Sequence, residues 1–192
     1  DPSDKKFKRE WLKRAPHIKP GTPGFNFFLC VDPASARRKE SDFTAMGVFA
    51  VDHEFNFYWV DGVHDKLDPL QRIEAVFHLA RKWNIVYCSY ETIGFQKTDA
   101  FYINMKMREE NYYFPIWEVA HHKENKDERI MGIQPIMKAG KFFIPEEPMP
   151  YERKWVNPDD GFSRTVDLIE QFFIELDDYP MSAHDDILDM CA

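Results

Sequence analysis

The runs FNFFLCVD (Phe25–Asp32) and IVYCSYE (Ile85–Glu91) most constrain what this chain can fold into. Each is a short apolar segment of the kind that forms a buried strand, and each closes on a carboxylate. DFTAMGVFAVD (Asp42–Asp52) and FYWVDGVHD (Phe57–Asp65) follow the first run at close spacing, separated from each other by the turn HEFN. Three consecutive strands with short connections predict an antiparallel meander.

Downstream the periodicity changes. LDPLQRIEAVFHLARKWN predicts an amphipathic helix with Asp68 as N-cap and Pro69 at the first helical position. Leu70, Ile73, Val76, Phe77 and Ala80 form its apolar stripe. The strand ending at Glu91 leads to a helix over Lys97–Glu110 and a short strand within YYFPIWEVA. NKDERIMGIQPIMKAGKFFIP predicts a helix from Lys126 and a strand around Phe142–Ile144, and NPDDG (Asn157–Gly161) a turn. RTVDLIEQFFIELDDYP predicts a helix that Pro180 ends, and a last helix begins near Ser182. The expected fold is α/β: a mixed sheet, antiparallel over its first three strands and then parallel, flanked by helices.

A chain of 192 residues, 44% hydrophobic and 16% aromatic, is long and apolar enough for one domain with a real core. No apolar run approaches the ~20 residues that cross a bilayer, so no membrane partner is expected. The segment 1–24 begins without Met, is basic and runs into PHIKPGTPG; it reads as a leader and linker cut from a longer chain, ahead of a domain at 25–192. Cys30, Cys88 and Cys191 show no C-x-x-C spacing and are expected as buried thiols without disulfide or zinc. The net charge of −8 is unevenly spread. Residues 1–19 carry seven Lys/Arg against three acids, whereas residues 145–192 carry three against thirteen. Binding a polyanion would need local basic patches or bridging cations.

The acids offer the bridging cations a place. In an α/β sheet, ligand chemistry gathers at the carboxyl ends of parallel strands. If the strands ending at Asp32 and Glu91 are parallel neighbours, their carboxylates sit side by side, and an acid from a helix at that edge completes a cluster. HDDILD (His184–Asp189) supplies Asp185, Asp186 and Asp189 on one helical stripe opposite an apolar one. Grouped carboxylates repel unless a cation lies among them, and Mg²⁺ or Mn²⁺ prefers such oxygen ligands. Each acid also has a plain structural role. Asp32 before Pro33 and Ser35 fits an Asx-turn, and Glu91 a solvated strand end. Asp185 has capping-box spacing from Ser182, while Asp186 and Asp189 fit a solvated helix surface. Ser35, Arg37, Arg38 and Lys39 lie in the loop after Asp32, and Lys123, Lys126 and Arg129 surround a helix start; the Lys and Arg residues among them are candidates for DNA phosphates. His121, His122 and His184 are weaker candidates as ligands or proton carriers.

FFLCVDPASARRKESDFTAMGVFAVD, IVYCSYET, NKDERIMGIQPIMKAGKFFIP and HDDILDMCA together resemble the C-terminal nuclease domain of the large terminase subunit of tailed bacteriophages. The resemblance runs over about Phe25–Ala192, and the basic leader is similar to the segment after the ATPase domain of such proteins. It implies an RNase H-like fold and an endonuclease that cuts concatemeric viral double-stranded DNA during packaging, using two divalent cations, Mg²⁺ or Mn²⁺. By position it implies Asp32 and Glu91 as the first two catalytic acids, with the third in HDDILD. There Asp185 is favoured, Asp186 is close behind, and Asp189 is an alternate ligand. It also implies an ATPase domain N-terminal to this segment, the terminase small subunit and the portal protein as partners, and the host cytoplasm as location. A junction resolvase, a ribonuclease H or a non-catalytic docking module of a packaging motor are the rival readings.

Overall fold

The computed structural model describes residues 5–33, 43–91, 97–119, 126–154, 164–182 and 185–192. Nine strands lie at Lys13–Ala15 (β1), Asn26–Asp32 (β2), Thr44–Val51 (β3), Phe57–Asp65 (β4), Tyr87–Glu91 (β5), Ile116–Val119 (β6), Phe142–Pro145 (β7), Pro150–Glu152 (β8) and Thr165–Asp167 (β9) among the described residues. Helices span Pro69–Trp83 (α1), Lys97–Glu110 (α2), Lys126–Met131 (α3), Gln134–Lys138 (α4), Leu168–Asp178 (α5) and Asp186–Met190 (α6).

Seven strands form one sheet in the order β1-β7-β4-β3-β2-β5-β6, and β8 pairs with β9 in a small second sheet. β2, β3 and β4 make the expected antiparallel meander. β5 joins β2 in parallel with Val31 opposite Tyr90, and β6 continues in parallel beyond it. The mixed sheet carries helices on both faces, as the strand and helix patterns of the sequence predict.

Side-chain alternation sorts the core into two layers. Met46, Val48 and Ala50 of β3 pack with Leu29, Val31 and the inner faces of α1 and α2. Ala45 and Phe49 point the other way, toward Ile130, Phe172, Ile187 and Leu188. β3 is thus buried on both faces, whereas β2 alternates between buried and half-exposed positions. That half-open face of β2 carries Phe28, Cys30 and Asp32.

Local chemistry explains most element ends. Asp68 and Gln71 close a reciprocal capping box at α1, and Asn84 ends that helix in the left-handed conformation. The stripe on α1 is as expected except at Leu70, which is 57% exposed. Across β3 and β4, Gly47 and Gly62 are register partners. A Cβ on Gly47 would lie 2.5 Å from the Met190 sulfur, so the missing side chain lets α6 settle onto the sheet.

Three boundaries differ from the expectation. Thr165–Asp167 is a strand; the helix starts only at Leu168, where the Asp167 side chain caps the Ile169 N–H. The last helix starts at Asp186 rather than near Ser182, and Asp185 is its N-cap residue without a side-chain cap bond. The basic leader contributes an edge strand, β1, parallel to β7, and buries Phe7 and Leu12 in the core. The turn at 157–161 lies outside the described residues.

Candidate metal centre

Asp32 is the last residue of β2 and Glu91 the last of β5, so the parallel pairing of these strands sets the two carboxylates next to each other. α6 lies against β2 and β3 and brings Asp189 to the same point. One carboxylate oxygen from each of Asp32, Glu91 and Asp189 lies within 4.8 Å of the others. Burial pushes the Asp32 carboxyl well above its ordinary value, and the charges of Glu91, Asp189 and Asp186 push it further the same way. A cation among these oxygens would offset the repulsion on the Asp32 carboxylate, a part for which oxygen-loving divalent ions are suited. The donor set fits Mg²⁺ or Mn²⁺: carboxylate oxygens only, without thiolate or imidazole.

The three acids of the last helix take different positions. Asp189, which fits a solvated surface by sequence, is only 8% exposed. Its Oδ1 accepts from Arg129 Nε at 2.8 Å and also contacts the Nη2 of that guanidinium. Asp185 instead binds Lys126, with Nζ to Oδ1 at 2.6 Å. Asp186 turns toward a histidine, its Oδ2 standing 3.7 Å from Nε2 of His64.

α3 therefore lays its cations on the acids. Lys126 reaches Asp185 and, at 3.3 Å, Asp189; Arg129 spans Asp189 and, at 3.4 Å, Glu91. Burial works against charge on both side chains, yet Asp189 with Asp185 holds Lys126, and Asp189 with Glu91 and Asp32 holds Arg129, above their ordinary values. Behind α6, burial pushes the Glu175 carboxyl well above its ordinary value although its Oε2 accepts from the Leu188 N–H at 2.8 Å. Arg37, Arg38, Lys39, Lys123, His121, His122 and His184 lie outside the described residues, as does Ser35.

Sequence reading missed His64, Arg153 and Glu175. His64 is 2% exposed at the end of β4, Arg153 2% and Glu175 3%. For His64 and Glu175 the only sequence signal was a polar residue at an inward strand or helix position, and Arg153, just past a strand, offered none.

No family model matches the sequence, and no curated protein matches it at the level of sequence. Solved structures do match the fold. The large terminase nuclease from thermophilic phage G20c with bound magnesium superposes with a TM-score of 0.52 at 14% identity, covering 94% of this chain and 92% of that one. The Thermus phage P74-26 large terminase nuclease domain gives 0.53 at 13%, covering 94% and 88%. The HK97 bacteriophage large terminase gives 0.50 at 8%, with 72% of this chain spanning 33% of that chain. At these identities the likeness is one of architecture: the chain has the fold of large terminase nuclease domains.

Proposed function

We propose that this chain is a divalent-metal-dependent endonuclease of the large terminase type, cutting double-stranded viral DNA during packaging. The observation that carries the proposal is the convergence of Asp32, Glu91 and Asp189 at the carboxyl ends of two parallel strands. The magnesium in the G20c nuclease, a protein of the same fold, supports the choice of ion.

In this reading Asp32, Glu91 and Asp189 together would hold the metal. Asp186 borders it, near enough for its charge to act on Asp32. When bound, two such ions supply activation of a water nucleophile and stabilisation of the departing 3′ oxygen of the phosphodiester. Arg129 and Lys126 neutralise the outer oxygens of Asp189 and Asp185 and keep α6 seated while the acids hold their charge. Arg37, Arg38, Lys39 and Lys123 remain the candidates for holding the phosphate backbone. As the resemblance to large terminase subunits implies, an ATPase domain, a small subunit and a portal protein would deliver the DNA, which an acidic domain attracts poorly by itself.

The test is cleavage of supercoiled plasmid, a four-way junction and an RNA–DNA hybrid in Mn²⁺ by the wild type and Asp32→Ala. Cutting of plasmid by the wild type alone is expected. Full activity in Asp32→Ala would sink the assignment, and a preference for junction or hybrid would replace the terminase reading with a resolvase or ribonuclease H.

A further inference from the structure

A second set of buried polar groups reaches the metal centre from β4 and the small sheet. The His64 ring is stacked on Phe43, with centroids 4.5 Å apart and planes 27° apart. Arg153, just beyond β8, lies over the same Phe43 ring at 5.0 Å. Its Nε donates to the His64 carbonyl at 3.2 Å, and its Nη2 is 3.1 Å from His64 Nδ1. A guanidinium has only donors, so the ring nitrogen facing it presents its lone pair. The proton of the neutral ring then belongs on Nε2, the nitrogen that stands 3.7 Å from Asp186 Oδ2. The neighbouring Asp65 fastens the same segment, its Oδ2 accepting from the Tyr151 hydroxyl at 3.0 Å and the Lys154 N–H at 2.7 Å.

We propose that Arg153 is a positioning residue: it holds His64 as the Nε2–H tautomer and so aims that N–H at the Asp186 carboxylate at the border of the metal site, across 3.7 Å, an electrostatic contact longer than a hydrogen bond. The small β8–β9 sheet is thereby joined to the site through one guanidinium and one imidazole. The inference rests on the metal reading above. It gives a role to two buried side chains that hydrolysis itself does not use. A donor facing a carboxylate biases the rotation of that carboxylate, and Asp186, whose charge acts on Asp32, carries the effect to the metal-binding acids.

Long-range ¹H–¹⁵N spectra of histidine-labelled protein read the tautomer directly. Wild type is expected to show His64 protonated at Nε2, and Arg153→Met to show a mixture or the Nδ1–H form. Calorimetry with Mn²⁺ is expected to show weaker binding in Arg153→Met, by less than the roughly tenfold that loss of a ligand's own outer partner costs. Arg153→Lys, which keeps a donor toward Nδ1, is expected to restore the wild-type spectrum and most of the affinity. If Arg153→Met does not fold, His64→Leu against His64→Gln makes the comparison at the next link: Gln retains an N–H and is expected to bind Mn²⁺ more tightly than Leu. An Nδ1–H ring in the wild type overturns the positioning role, as does unchanged Mn²⁺ affinity in folded Arg153→Met, or equal affinity in the two His64 variants. A wild type with the Nε2–H ring that binds no Mn²⁺ overturns the metal reading beneath it.

Discussion

At Asp32, burial and the neighbouring carboxylates act in the same direction, raising the carboxyl's folded-state value. A carboxyl raised on folding favours the folded state below the ordinary carboxylate range and loses that contribution as pH rises through the raised value. Asp32→Asn removes the group that titrates. In EDTA the variant is expected to melt at or above the wild-type temperature, by a margin that grows from acid to neutral pH. In Mn²⁺ the order reverses, because a ligand of the folded state alone stabilises it by about 2.7 kcal/mol at 100 times its Kd, and the variant loses that gain. A lower melting temperature for Asp32→Asn in EDTA at neutral pH would show that burial of the charge and like-charge repulsion do not dominate there. Arg129 presents the opposite case. Its removal leaves the buried Asp189 without its principal cation, a change that costs about 3–5 kcal/mol for buried pairs. Lys126 still faces Asp189 at 3.3 Å, so Arg129→Ala is expected to cost about 2–3 kcal/mol in EDTA by urea denaturation, with part recovered in Mn²⁺.

Between elements, two contacts decide how the helices sit. Arg72 of α1 makes a bidentate contact with Asp99 of α2, at 2.9 and 2.7 Å from Nη2 to the two carboxylate oxygens, and the Tyr90 hydroxyl of β5 donates to the same carboxylate at 2.8 Å. All three residues are buried. Asp99→Ala strands a buried guanidinium and is expected to cost about 3–5 kcal/mol, measured by denaturant midpoint. Because β5 ends in Glu91, some loss of metal affinity is expected to follow. On the other face, Gly47→Val places two methyl groups where Met190 now lies. Overpacking of this sort costs about 1–3 kcal/mol. Its more telling effect is expected in Mn²⁺ calorimetry, as α6 moves off the sheet and takes Asp189 with it. Gly47→Ala, relieved by a shift of the flexible Met190 side chain, is expected to do much less.

Over the whole molecule, a net charge of −8 opposes DNA at long range, while the acid cluster opposes it at the centre. Duplex binding by this chain is therefore expected to require divalent cation and to weaken steeply with added salt, read by fluorescence anisotropy in EDTA and in Ca²⁺ or Mn²⁺. Equal affinity in EDTA would mean that basic loops alone carry the contact. The strand directions, antiparallel and then parallel, were largely legible in the residues. Strand runs ending in Asp32 and Glu91, the hairpin spacing and the α1 cap all depend on local patterns, and the structure follows them. What the short range did not encode were the β8–β9 pairing, the edge strand in the basic leader and the partners of His64, Arg153 and Glu175. Each depends on residues far apart in the chain.

The sequence by itself determined that two buried strands end in acids and that a third group of acids closes the chain, because strand and helix periodicities are local properties. Which acid of HDDILD lies beside the other two was decided only by tertiary structure. The helix wheel puts Asp185, Asp186 and Asp189 on one stripe, but where α6 starts and how closely Gly47 lets it approach the sheet give them different partners: Lys126, His64, and the pair Asp32 and Glu91. A stripe has a direction only once something is packed against it.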